Sequence, residues 1–129
     1  MLIGDYVYRA VSGESWIRRG QPKAPAFRRR WKYDAEGKLR ECWDEDGLSL
    51  GTSPEEACRQ LTTNYGVLKL SVEKLRMRGF EFDDPVEGHV CIINMPFYRE
   101  EDRDEAAQKA FLLLECVEEV LPPEPSPSA

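Results

Sequence analysis

The sequence predicts an α+β fold: a small mixed or antiparallel split sheet, short helices, and one long C-terminal helix. Three observations predict it. Alternating or β-branched runs at 6–11, 48–50, 67–70 and 88–94 read as strands. Serines at 53 and 71 stand before helical stretches as capping residues. Residues 99–121 place Ala106, Ala107, Ala110, Leu113, Leu114, Val117 and Leu121 at helical spacing.

Each element follows from its residues. Tyr6-Val7-Tyr8-Arg9-Ala10-Val11 forms the first strand, and Ser12-Gly13 breaks it. Residues 15–19 supply one helical turn, with Trp16 and Ile17 as its apolar contacts. Gly20 and the prolines at 22 and 25 mark a loop. Residues 26–33 alternate Phe27, Arg29, Trp31 and Tyr33 against Arg28, Arg30 and Lys32. With the turn residues 34–37 and a return over 38–43, they read as a hairpin.

Residues 46–61 combine a turn, a short inner strand (Leu48-Ser49-Leu50) and a helix start. Ser53 caps, Pro54 fits the first helical position, and Glu55 and Glu56 complement the helix dipole. That helix is expected to end near Gly66. Residues 72–78 form a short helix stopped by Gly79, and 80–82 a short extended piece. The run His89-Val90-Cys91-Ile92-Ile93 predicts a central strand buried on both faces. Phe111 and Leu112 widen the apolar stripe of the last helix. Residues 1–121 thus read as a single domain, and 122–129, proline-rich and polar, as a disordered tail.

Bulk properties narrow the function classes. Of 129 residues, 41% are hydrophobic, enough for one packed core, and no apolar run approaches the ~20 residues of a membrane helix. The start lacks the pattern of a secretion signal, so a cytoplasmic protein is expected. Four dispersed cysteines (Cys42, Cys58, Cys91 and Cys116) and one histidine argue against a structural zinc site and against a disulfide framework. No metal is expected, and the cysteines read as buried, inert thiols.

The net charge of −6 hides an asymmetry: residues 18–32 carry seven basic side chains and no acidic one. That segment, with Arg28, Arg30 and Lys32 as the candidate contacts, suits a phosphate-bearing ligand or an acidic protein partner. A solvated hairpin face is the plainer explanation. Nucleic acid is disfavoured, because the acidic remainder repels a polyanion.

Phosphate-loop and dinucleotide motifs are absent from the sequence. Several polar residues stand on predicted strands instead. Arg9 interrupts an apolar strand, Ser49 lies between two leucines, and Glu87 and His89 flank Gly88. Polar groups at such places need partners. An ion pair for Arg9, a backbone hydrogen bond for Ser49 and a hydrogen-bonded core position for His89 are the structural explanations. A ligand site is the functional one.

Tyr8-Arg9, then Leu48-Ser49-Leu50 leading to Pro54-Glu55-Glu56-Ala57 and a further strand, resembles the layout of the ADP-ribosyltransferase superfamily. Gly66-Val67-Leu68-Lys69-Leu70-Ser71-Val72, Gly79-Phe80-Glu81-Phe82, His89-Val90 and Met95-Pro96 resemble the C-terminal half of its tRNA 2′-phosphotransferases. They also resemble small bacterial proteins with Tyr-Arg near the start and a histidine-led strand near the end.

The resemblance implies NAD held in a cleft of a split sheet. Arg9, Ser49 and Thr52 would bind the cofactor. Glu87, Ser49 and His89 would serve the reaction, with the Glu87 carboxylate stabilising charge on the ribose as nicotinamide leaves. Glu87-Gly88-His89 stands where that superfamily has a Glu-x-Glu pair. The alternative expectation is a non-catalytic protein-interaction module.

Overall fold

The computed structural model describes residues 3–11, 13–28, 47–59, 65–96 and 100–123. The expected hairpin over 26–43 lies almost wholly outside them, as do the end of the first helix and most of the C-terminal tail.

Five antiparallel strands form the main sheet: β1 (Tyr6–Ala10), β4 (Leu48–Gly51), β5 (Val67–Ser71), β6 (His89–Ile92) and β7 (Val117–Leu121), in the order β6-β4-β1-β5-β7. β2 (Ile17–Arg18) and β3 (Gln21–Pro22) make a separate two-stranded hairpin. The helices are α1 (Pro54–Cys58), α2 (Val72–Met77) and α3 (Arg103–Glu115), and α3 is the longest. The fold is therefore the α+β fold read from the sequence.

Strand alternation divides the sheet into two faces. Val7 and Arg9 of β1 stand with Leu68 and Leu70, Leu48 and Leu50, and Val90 and Ile92, as the registers dictate. This face is the core. Ala110 and Leu113 of α3, Leu75 of α2 and Phe27 from the 3-10 turn Ala24–Phe27 belong to the same buried cluster. Each fully buried leucine contributes about 1.5–3 kcal/mol. The other face carries Tyr8, Ala10, Ser49, Gly51, His89, Cys91, Val67 and Lys69. There Cys58 of α1 packs with Ala10 and Val67.

The caps are formed as their residues dictate. Ser53 Oγ accepts from the Glu56 amide at 3.2 Å, and Ser71 Oγ accepts from the Lys74 amide at 3.2 Å. Each contributes about 1 kcal/mol.

Five expectations are corrected. The last helix does not continue to 121: it ends at Glu115, with Cys116 as its cap, and Val117–Leu121 returns as an edge strand on β5. Val117, Val120 and Leu121 fit a half-buried pleat as well as a helical stripe, and the free edge of β5 decides between them. Phe111 faces solvent, 62% exposed, because the buried stripe of α3 runs through Ala106, Ala110 and Leu113.

β6 is not central but the last strand in the order. Its burial comes from residues 81–83, which cover its outer side through the Ile93 amide to the Glu81 carbonyl (2.9 Å) and the Cys91 amide to Asp83 Oδ1 (2.7 Å). Residues 14–16 form the 3-10 turn, so Ile17 and Arg18 are free to pair as β2, and Ala26 and Phe27 are turn rather than strand.

Cys58, Cys91 and Cys116 are free and buried, and Cys42 lies outside the described residues. Burial pushes the Cys116 thiol above its ordinary value of 9.0, and its Sγ donates to the Leu112 carbonyl at 3.4 Å. The folded protein therefore holds this proton to higher pH than the unfolded chain. Its contribution is complete below pH 9 and is lost as pH rises through the folded value. Unfolding free energy is expected to fall above pH 9, and Cys116→Ala should flatten that part of the curve. Urea titrations at several pH values check this. Lys74, raised from 10.5 by its hydrogen bond and charge interaction with Glu118, acts in the same direction only at still higher pH.

Candidate functional site

On the face opposite the core, β4 and β6 bring Ser49 and His89 together. The strands pair Ser49 with Cys91 and Gly51 with His89. Gly51 offers no side chain to oppose the imidazole, so the ring reaches its diagonal neighbour. Ser49 Oγ lies 2.5 Å from His89 Nε2. With the neutral ring protonated at Nδ1, the serine hydroxyl donates to Nε2; with Nε2 protonated, the ring donates to Oγ. Cys91 Sγ lies 3.9 Å from the same nitrogen. Ser49 and His89 are half-buried, and Cys91 is buried.

The backbone around the pair is fixed on three sides. Val86 and His89 exchange backbone hydrogen bonds of 2.8 and 2.9 Å. The turn they close has positive φ at both central residues, 50° at Glu87 and 83° at Gly88, the form that matches the twist of the flanking strands. Thr52 fastens this turn to the end of β4. Its amide donates to the Gly88 carbonyl at 2.9 Å and its hydroxyl to the same oxygen at 3.3 Å.

On the third side, α1 lies directly on Gly51, where an added Cβ would stand 2.3 Å from the Ala57 nitrogen. The Glu56 side chain occupies the space over Gly88, and its carboxylate pairs with Arg59 at 2.7 Å. A half-buried carboxylate thus stands against the turn that leads into His89.

Arg9 holds the site from below. Its side chain is on the core face, 1% exposed, and its guanidinium spans three segments. Nε donates to the Ala26 carbonyl at 3.1 Å, Nη1 to the Ser49 carbonyl at 2.9 Å, and Nη2 to the Arg28 carbonyl at 2.9 Å. Arginine suits this role because its planar fork offers donors in several fixed directions.

The residues singled out from the sequence therefore separate into groups. Ser49 and His89 meet side chain to side chain. Arg9 meets Ser49 through the serine's backbone, with its own side chain on the opposite face. Thr52 contacts the turn rather than the Ser49 hydroxyl. Glu87 stands exposed at the turn tip and, among the described residues, makes no hydrogen bond or ion pair. Arg28 contributes its carbonyl to the Arg9 clamp; Arg30 and Lys32 lie outside the described residues.

Two site neighbours were not anticipated. Cys91 was legible only as two residues beyond His89 on a strand, the spacing that shares a face. Glu56 was read as a complement to the helix dipole, and nothing local signals that it also covers Gly88. Among the described residues, no cluster of three or more His, Cys, Asp or Glu is arranged to hold a metal ion. No described helix is long and apolar enough to cross a membrane. No family model matches the chain, and no curated protein or solved structure matches it.

Proposed function

We propose that the chain is a small hydrolase or group transferase whose nucleophile is Ser49 and whose base is His89. The 2.5 Å contact between Ser49 Oγ and His89 Nε2 carries this reading. A serine hydroxyl is a weak nucleophile until a base removes its proton, and hydrogen-bond contact with an imidazole supplies that base. Both groups are half-buried, so they retain access to solvent while sitting on hydrogen-bonded strands. In the proposed step, Oγ bonds to an electrophilic carbon or phosphorus as its proton passes to Nε2. The leaving group departs with that proton, and water then repeats the route to release Ser49.

Covalent labelling tests the proposal. A fluorophosphonate should modify Ser49, with loss of fluoride, and the adduct should be located by peptide mass spectrometry. Ser49→Ala should abolish it. His89→Gln, which keeps a polar side chain but supplies no base, should slow it by about a hundredfold or more. No adduct on Ser49, or labelling indifferent to His89→Gln, would overturn the assignment.

A second reading keeps NAD as substrate, with the same pair holding the hydroxyl groups of a ribose. The resemblance of Leu48-Ser49-Leu50 and His89-Val90 to that superfamily supports it, with Arg9, buried on the opposite face, holding the Ser49 backbone rather than touching the cofactor. NAD consumption by the purified protein, lost in Ser49→Ala, is its expected result. A protein that neither labels nor consumes NAD would instead support the non-catalytic interaction module.

A further inference from the structure

We propose that the β2–β3 hairpin is a binding site for a small diphosphate-bearing molecule. A cleft of about 1090 Å³ runs along it, lined by Ser15, Ile17, Arg18, Arg19, Gln21 and Lys23. Arg18, Arg19 and Lys23 are exposed. Among the described residues, none of the three forms an ion pair or a side-chain hydrogen bond. This is notable on a chain of net charge −6, in which 24 acidic residues are available and none falls between 15 and 33. Several cations elsewhere are paired, as in Arg59 with Glu56, Lys74 with Glu118 and Arg78 with Glu115. Three unneutralised cations around one cleft make a local positive potential that an anion would relieve.

The hairpin is built to hold those cations in place. Arg19 and Gly20 both have positive φ, 50° and 75°, which makes the two-residue turn that suits strand twist. Ile17 pairs with Pro22 and Arg18 with Gln21. The Lys23 amide donates to the Trp16 carbonyl at 2.8 Å, and the Trp16 amide to Gly13 at 3.1 Å. The Trp16 ring lies on Gly13, where an added Cβ would stand 2.6 Å from it. A preformed backbone lowers the ordering cost of binding. Arginine forks and a lysine ammonium suit phosphate oxygens, and Ser15 and Gln21 add neutral donors beside them.

The occupant is small because a long polyanion would meet the acidic remainder of the molecule. A diphosphate carries enough charge to face all three cations at once.

Calorimetry with inorganic pyrophosphate and with ADP at low ionic strength tests this. Both should bind, and binding should weaken as salt is added. The double variant Arg18→Gln/Lys23→Gln should weaken it by about tenfold or more, the loss expected for one or two charge-assisted contacts. Arg19→Asn, which tolerates the left-handed backbone, should weaken it as well. Because these side chains are exposed and unpaired, the unfolding midpoints of the variants should stay at the wild-type value. No binding of pyrophosphate, or binding unchanged in these folded variants, would overturn the proposal. So would sedimentation with phosphatidylserine vesicles in the absence of pyrophosphate binding, which would make the patch a membrane contact instead.

Discussion

Arg9→Met is expected to destabilise the protein by about 3–5 kcal/mol. Methionine fills much of the same space, so the loss is chiefly of hydrogen bonds rather than volume. The guanidinium donates to the carbonyls of Ala26, Ser49 and Arg28, which belong to two separate segments besides β1 itself. Bonds from a charged donor contribute about 1.5–3 kcal/mol each in isolation, though three made by one group do not add in full. The Ala26 carbonyl, at a buried residue, loses its partner without gaining water.

Arg9→Lys should recover less than half of the loss, because one ammonium cannot reach along three directions at once. A domain of this size has about 5–15 kcal/mol in total, so Arg9→Met approaches the folding limit. Urea denaturation measures it. A methionine variant within 1 kcal/mol of wild type would show that the clamp does not hold the segments together.

Gly51→Ala is expected to cost about 2–3 kcal/mol and to lower the reactivity of Ser49 with it. The new methyl carbon would stand 2.3 Å from the Ala57 nitrogen, 2.7 Å from its Cα and 2.9 Å from the Glu56 carbonyl carbon. All three are backbone atoms of α1, so no side-chain rotation relieves the clash and the helix must lift. Glu56 and Thr52 flank the turn that enters His89, so a lifted α1 loosens the site as well as the fold. Gly4→Ala is the matched control, since nothing lies within 4 Å of its added carbon. Thermal unfolding and labelling rates on the pair should separate sharply; equal behaviour would mean that α1 is not fixed on Gly51.

What could be read from the residues, and what could not, divides by distance along the chain. Strands β1, β4 and β5 were legible because their side chains alternate or are β-branched. The starts of α1 and α2 were legible because a serine cap acts within one turn. The end of α3 was not. Val117 and Leu121 are spaced four apart, which suits a helix, and only pairing with β5, some fifty residues earlier in sequence, makes them a strand.

At the site, Ser49 and His89 stood out as polar residues on apolar strands, but their contact depends on the β4–β6 register and on the missing side chain at Gly51. Arg9 shows the same limit. A buried arginine reads equally as ligand contact or clamp until its partners, 17 to 40 residues away, are known. Glu87 was read as an acid opening a strand. Gly88 was read as the first residue of that strand; instead both residues sit in a turn at positive φ, which glutamate rarely adopts, so nothing local announced it.

The most direct measurement exploits the single histidine of the chain, whose imidazole resonances need no separation from others. The rate of fluorophosphonate labelling at Ser49 and the protonation state of the ring, read by NMR, are followed together across pH. If His89 is the base, labelling accelerates as the ring loses its proton, the two curves share one midpoint, and Ser49→Ala alters the Nε2 resonance by removing its partner. A labelling rate that ignores the state of the ring, or an Nε2 resonance unchanged in Ser49→Ala, would contradict the pair as the reactive centre.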